Sequence, residues 1–167
     1  PWTTNLLVIM GGFRGEDEDG MFGTNDPAKW PTVLSPDPSA PVATNPLLLI
    51  TGITNALEPK ILANVAFQYG GNTQVVNNAM GGALCIRGVT NVIVRRCTFD
   101  SNIGARFGGA VHITNSVVVF TDCVFQANQV VAALGDGNGY GAAIAAFGGA
   151  LDIRNSLFSD NACMGST

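Results

Sequence analysis

The most constraining feature of this sequence is a pair of short motifs that return in the same order. A Gly-Gly-Ala triplet followed by an aliphatic residue begins at Gly81, Gly108 and Gly148. A Phe-x-x-Asn motif follows each triplet, starting at residues 99, 125 and 158. The interval before the third triplet is longer than that before the second, because it contains a segment rich in Gly and Ala. Repeats of roughly 20–50 residues predict a solenoid, in which each repeat buries its apolar face against the next.

The residues after each triplet alternate between aliphatic and other types, as Leu84 and Ile86 do on either side of Cys85. Alternate residues of a strand share one face of a sheet, so the aliphatic residues are expected to point inward. Helical periodicity is missing after residue 60, where runs rich in β-branched residues are bounded by Gly and Asn. The sequence therefore predicts an all-β fold, a parallel β-helix of few coils with long loop insertions.

Each motif residue has an expected structural role in such a fold. Phenylalanines of successive coils should stack, and asparagines should turn the chain and bond one another along the axis. Paired glycines permit a tight corner close to the coil beneath. The residues predicted to form these turns and stacks are Phe99, Asn102, Phe125, Asn128, Phe158, Asn161, Gly81, Gly82, Gly108, Gly109, Gly148 and Gly149.

The length of 167 residues predicts a single domain, 1–167. All eight prolines lie at or before Pro59, so we divide the domain into entry coils over 1–60 and repeat coils over 61–167. Three loop segments interrupt the coils, at 15–31, 35–46 and 130–147.

Composition excludes some partners. Only 12% of the residues are charged and the net charge is −4, which gives no basic surface for nucleic acid. The apolar runs are strand-sized and too short to span a membrane as a helix, so we expect no membrane insertion.

The Gly-Gly-Ala and Phe-x-x-Asn motifs resemble the repeats of chlamydial polymorphic outer-membrane proteins, a group of secreted right-handed parallel β-helix proteins. The stretches IMGGFRGEDED (residues 9–19) and KWPTVLSPD (residues 29–37) are similar to the entry module of large β-helix proteins. The resemblance implies a right-handed β-helix that is extracellular or on the cell surface, of the adhesin or surface-structure kind. Departures are Pro36, where a glycine is usual, and FQYG at residues 67–70, where Phe-x-x-Asn is expected.

Catalytic and metal sites are poorly supported. Cys85, His112 and Asp152 follow the three triplets at matching positions, so we expect them in one outward column. A thiol, an imidazole and a carboxylate could act together, yet a flat sheet face offers no pocket, and a solvated column is the expected state. The acidic loop Glu16–Asp19 lacks the spacing of a calcium loop. An ion pair between coils accounts for Arg96 and Asp122. We therefore predict no metal and no cofactor.

The four cysteines suit an oxidising compartment. Cys97 and Cys123 are expected to be neighbours on the inner face, where a disulfide and a pair of buried free thiols are both open. Cys85 and Cys163 are expected on different faces, so a bond involving them would join separate molecules.

The sequence favours a non-catalytic extracellular structural protein. The last coil, NSLFSDNACMGST, offers no amphipathic helix and no charged cap, and an uncovered coil exposes strand edges that template pairing with another chain. We therefore expect head-to-tail self-association into a surface filament. An adhesin or carbohydrate-binding module that contacts surface glycans is the alternative. A polysaccharide lyase or hydrolase is a second alternative, although the clustered Asp residues of such sites are missing.

Overall fold

The computed structural model describes residues 7–13, 25–37, 46–52, 58–72, 81–131 and 139–164. Within these ranges the chain forms sixteen β-strands and no helix. The strands are β1 (Val8–Met10), β2 (Thr32–Leu34), β3 (Leu48–Thr51), β4 (Lys60–Ala63), β5 (Val65–Gln68), β6 (Gly71–Asn72), β7 (Leu84–Arg87), β8 (Val92–Arg95), β9 (Thr98–Asp100), β10 (Ile103–Gly104), β11 (Val111–Thr121), β12 (Val124–Gln126), β13 (Gln129–Val131), β14 (Ile144–Arg154), β15 (Leu157–Ser159) and β16 (Ala162–Met164).

The strands lie in three sheets of seven, five and four strands, and each pairing is parallel. In the largest sheet the long strand β11 pairs through its first half with β7 and through its second half with β8. Strand β14 pairs with β11 on the opposite side, along both halves. The expectation of an all-β chain with parallel strands is confirmed.

Within each sheet, paired strands come from successive segments of the chain. We call these segments the first (β3–β6), second (β7–β10), third (β11–β13) and fourth (β14–β16) repeats. Thr98 of the second repeat pairs with Val124 of the third, which pairs in turn with Leu157 of the fourth. In the four-stranded sheet, β10, β13 and β16 pair in the same order of repeats. Residues in register therefore form columns that cross successive repeats.

The hydrophobic core consists of these columns. Phe67, Phe99 and Phe125 are completely buried, and their rings stack with centroids 4.9 and 4.8 Å apart. A second column, with Leu62, Val94 and Phe120, faces it from the largest sheet. Alternation of apolar residues along short strands thus produces an interior in which each side chain is covered by its equivalents in adjacent repeats.

Single residues with positive φ form the corners between strands. One corner column contains Asn64, Arg96, Asp122 and Asn155, with φ between 46° and 58°. A left-handed residue bends the chain sharply within one position, and Asn and Asp tolerate this conformation better than most residues. Consecutive strands can therefore enter different sheets without a longer loop.

The third Gly-Gly-Ala triplet is not in register with the first two, which corrects the expectation from sequence. Val111 pairs with Ile144, so the residue aligned with Gly108 is Gly141. Their φ angles are 64° and 67°, and a Cβ on either would overlap the carbonyl oxygen three residues ahead. Gly148 and Gly149 instead lie beside Asn115 and Ser116, within β14.

Candidate functional site

The surface that differs most from the rest of the protein is the outer edge of the fourth repeat. Strands β14, β15 and β16 are each paired on one side only within the described chain. Phe125 is completely buried, whereas Phe158, its partner in β15, is 44% exposed. In the same way Ile153 is 39% exposed above the buried Phe120. We call the inward-column residues of this edge, Leu151, Ile153, Phe158, Asn161 and Cys163, the end surface.

Asn128, the asparagine of the second Phe-x-x-Asn motif, shows how the hydrogen-bonding groups of an interior asparagine are paired. Asn128 Oδ1 accepts hydrogen bonds from the backbone N and the Nδ2 of Asn102, at 3.1 and 2.9 Å. Asn128 Nδ2 donates to the carbonyl oxygen of Phe99 and to Asn161 Oδ1, both at 2.9 Å. Asn102 and Asn128 are completely buried, so the bonds between them and the bond to Phe99 are protected from water.

Asn161 makes only half of this pattern. Its Oδ1 accepts from the N and Nδ2 of Asn128, and its Nδ2 donates to the carbonyl oxygen of Phe125 at 2.9 Å. Among the described residues, its backbone N–H and its second amide N–H have no acceptor, because β16 has no strand beyond it. The ladder of asparagines therefore ends with donors that face outward from the end surface.

The opposite edge of the molecule is also apolar. Strands β1, β2, β3 and β6 end their sheets there. Ile9, Leu34 and Leu48 are partly buried and pack against the core from this side. Ile9 belongs to the column of Leu62, Phe120 and Ile153, and Leu34 belongs to the phenylalanine column. The two edges thus carry side chains of the same kind in the same columns.

The predicted outward column of Cys85, His112 and Asp152 does not form. Cys85 pairs with His112, but the next residue in that column is Ala145, and Asp152 lies above Val119. Asp152 instead forms an ion pair with Arg154 of its own strand. Cys85 and His112 are also buried rather than solvated. The thiol, imidazole and carboxylate are therefore not assembled as a catalytic group.

An aromatic cluster, which alternation alone did not reveal, covers His112. The imidazole lies 5.8 Å from the ring of Phe107 and 5.7 Å from that of Phe147. Tyr140 stacks on Phe107 at 5.7 Å. Burial, with a smaller contribution from Arg87, lowers the pKa of His112 to about 4. The signal in the sequence was an aromatic residue directly before two of the three triplets.

All four cysteines are free thiols. Cys97 and Cys123 lie in one inner column, and their Sγ atoms are each 3.4 Å from a backbone carbonyl oxygen, of Arg95 and Thr121 respectively. Burial raises the pKa of both, that of Cys97 to about 12. Cys85 is completely buried and so is not placed to meet another molecule, in contrast to the expectation. Cys163 is exposed.

A buried lysine was also missed. Lys60 is 1% exposed, in the same column as Val92 and Val118, and burial lowers the pKa of its ammonium group. Its Nζ donates to the carbonyl oxygens of Glu58 and Thr90 at 3.2 and 3.3 Å. These bonds compensate part of the cost of removing the charge from water.

The remaining expectations concern an ion pair, a metal site, a membrane-spanning segment and the acidic stretch. Arg96 and Asp122 occupy equivalent corners but do not form an ion pair with each other in the described chain. No cluster of three or more His, Cys, Asp or Glu side chains suited to a metal occurs there. The described residues include no helix of the length and apolarity needed to cross a membrane. The acidic stretch 15–20 lies outside the described residues.

Comparison of the chain with protein-family models, with curated proteins and with solved structures gave no match.

Proposed function

We propose that this chain is a right-handed parallel β-helix whose copies associate end to end, head to tail, into an extracellular structural filament. The observation that carries the proposal is the exposure of an inward apolar column at the end surface, where Phe158 and Ile153 occupy the positions of buried core residues. The motif resemblance to secreted β-helix proteins supports the fold, the handedness and the location outside the cell.

The pairing of the strands supports the β-helix. Each repeat contributes at least one strand to each of the three sheets, and the columns keep a constant order across repeats. The corner residues Arg96 and Ser101, with positive φ, connect a strand of one sheet to a strand of the next. A chain that visits three parallel sheets in turn and returns to the first forms a coil, and successive coils lie on one another.

The chemistry of the two edges supports association of like copies. An unpaired strand edge is a template for another strand, and the end surface presents the edges of three strands together. Burying one large apolar side chain contributes about 1.5–3 kcal/mol. Leu151, Ile153 and Phe158 would each gain such burial beneath the opposite edge of a second copy. Because the two edges differ, the contact is head to tail. Copies that continue the columns in one direction extend the assembly along that direction, so it grows as a filament rather than closing into a ring.

The test is the dependence of assembly on concentration. We expect the wild-type protein to form species above monomer mass in light scattering after size-exclusion chromatography, and fibres in negative-stain images. Phe158→Lys is expected to weaken association at least tenfold, because it places a charge in the contact. The matched control is Val117→Lys, since Val117 is 41% exposed on β11, a strand that is paired along both of its edges. A wild-type protein that stays monomeric at high concentration would overturn the proposal.

One observation favours a second candidate, a carbohydrate-binding module. Tyr140 and Phe147 are 49% and 42% exposed around Phe107, and the guanidinium of Arg106 lies 5.2 Å from that ring. Aromatic faces with a polar group nearby suit the apolar face of a sugar and its hydroxyl groups. Binding of monomeric protein to a glycan array, lost in Tyr140→Ala, would support this function in place of assembly.

A further inference from the structure

The ladder formed by Asn102, Asn128 and Asn161 indicates which group would pair with Asn161 in a further repeat. At each interior step, the backbone N–H and the Nδ2 of one asparagine donate to a single side-chain oxygen of the following repeat. Asn161 continues the ladder with the same two donors. The group that completes it is therefore a side-chain acceptor, held three residues after a member of the phenylalanine column.

The opposite edge of this chain carries such an acceptor. Leu34 is the first member of the phenylalanine column, because it pairs with Phe67. Three residues after Phe67 lies Gly70, whose N–H donates to Asn102 Oδ1 at 2.9 Å, so this offset marks the ladder position even without a side chain. Three residues after Leu34 lies Asp37, which is exposed. An ionised carboxylate only accepts hydrogen bonds, several at once, and it does so more strongly than a neutral amide oxygen.

We propose that the end-to-end contact is held in register by hydrogen bonds from the backbone N–H and Nδ2 of Asn161 in one copy to the carboxylate of Asp37 in the next. This inference rests on the proposed function, since it requires that two copies meet. The same alignment places Leu34 over Phe158 and Ile9 over Ile153, which continues both apolar columns across the contact.

The arrangement also sets the polarity of the filament. Two end surfaces that met would oppose the donors of two Asn161 side chains. Two opposite edges would bring two Asp37 carboxylates together, and like charges at close range disfavour contact. Only the head-to-tail arrangement pairs a donor group with an acceptor group.

The experiment is a reciprocal exchange of the two side chains. Asn161→Asp places a carboxylate opposite Asp37 and is expected to weaken association at least tenfold, as measured by analytical ultracentrifugation. Adding Asp37→Asn in the same chain supplies an amide donor from the other side, and is expected to restore most of the affinity. Asp122→Asn removes the same charge as Asp37→Asn, but at an exposed lateral corner. It is the control for that loss of charge and should leave assembly unchanged.

The design separates this proposal from the function on which it rests. Asn161→Asp also loses the hydrogen bond to the carbonyl oxygen of Phe125, but the single and double variants share that loss, so restoration reports the contact alone. Thermal unfolding followed by circular dichroism verifies that each variant is folded. If wild type assembles but the double variant remains as weak as the single one, the register is wrong and end-to-end assembly stands. If wild type does not assemble, both proposals fail.

Discussion

The third and fourth repeats place the same residue types in the same columns, yet their environments are opposite. Phe125 is completely buried between Phe99 and Phe158, whereas Phe158 stacks on Phe125 at 4.6 Å and has its other face exposed. Asn128 and Asn161 differ in the same way. The comparison teaches that burial in this protein is supplied by the adjacent repeat and not by the repeat to which a residue belongs.

The largest expected effect separates the two phenylalanines. Phe125→Ala removes a ring that is covered on both faces, so we expect the free energy of unfolding to fall by about 3–5 kcal/mol. Phe158→Ala should cost only about 1–2 kcal/mol in the monomer, because one face already contacts water. Urea unfolding at a concentration below that of assembly measures both values. Equal losses would contradict the role that we give to the neighbouring repeat.

The two asparagines provide a second and smaller contrast. Asn128→Ala leaves the carbonyl oxygen of Phe99 and the amide donors of Asn102 without their buried partner. We expect a loss of about 2–4 kcal/mol, since an unsatisfied buried polar group costs about 1–3 kcal/mol. Asn161→Ala should cost about 1 kcal/mol, because water can reach the groups that it leaves. The same unfolding experiment tests this pair, and a larger loss at Asn161 would contradict it.

His112, on the outer face of the largest sheet, should make the stability of the protein depend on pH, whereas the apolar inner columns should not. Burial and Arg87 hold the pKa of His112 at about 4, below the ordinary value of 6.5. The unfolded chain therefore binds a proton at a higher pH than the folded protein, so stability should fall as the pH drops from about 6.5 to about 4. We expect His112→Phe to lose this part of the pH dependence, about 2–3 kcal/mol over that interval. Chemical unfolding at several pH values measures it, and an unchanged profile in the variant would contradict the assignment.

The smallest expected effect is local and should not depend on the adjacent repeats. Ala127 forms a corner with φ of 51°, a conformation that costs an L-residue roughly 1–2 kcal/mol. Ala127→Gly removes this strain but adds freedom to the unfolded chain, so we expect a net gain of about 0.5–1 kcal/mol. Ala66→Gly, within β5, is the control and should destabilise by about 0.5–1 kcal/mol. Destabilisation by both substitutions, measured by thermal unfolding, would contradict the argument.

The sequence was sufficient for the parallel strands and for the register of the phenylalanine column. Phe99, Phe125 and Phe158 begin the three motifs, and they are direct partners where their strands pair. The Phe-x-x-Asn motif succeeded because a corner and a column are both fixed within one short stretch of chain. It did not require knowledge of the loops.

The third Gly-Gly-Ala triplet misled because glycine meets more than one requirement. Gly141 satisfies the same corner as Gly108 but is followed by Ala142 rather than by a second glycine. Gly148 instead has a positive φ within β14, next to Asn115 of β11. Likewise, alternation identified Cys85 and His112 as outward residues, but a strand pattern has no information about which distant side chains, such as Phe107 and Phe147, will cover that face.

The pairing of the strands shows where the chain tolerates a change in length. The interval along the chain from Leu48 to its partner Leu84 is longer than that from Lys60 to its partner Val92, although both pairs join the first repeat to the second. The extra residues fall between β3 and β4, and those that lengthen the step from the third repeat to the fourth fall between β13 and β14. Differences in length at these two places shift no column, so evolution is free to vary them while the interior keeps its pattern. In an alignment of related sequences, gaps should cluster at positions 52–59 and 132–140. Foreign peptides inserted at these positions should leave the rest of the fold undisturbed.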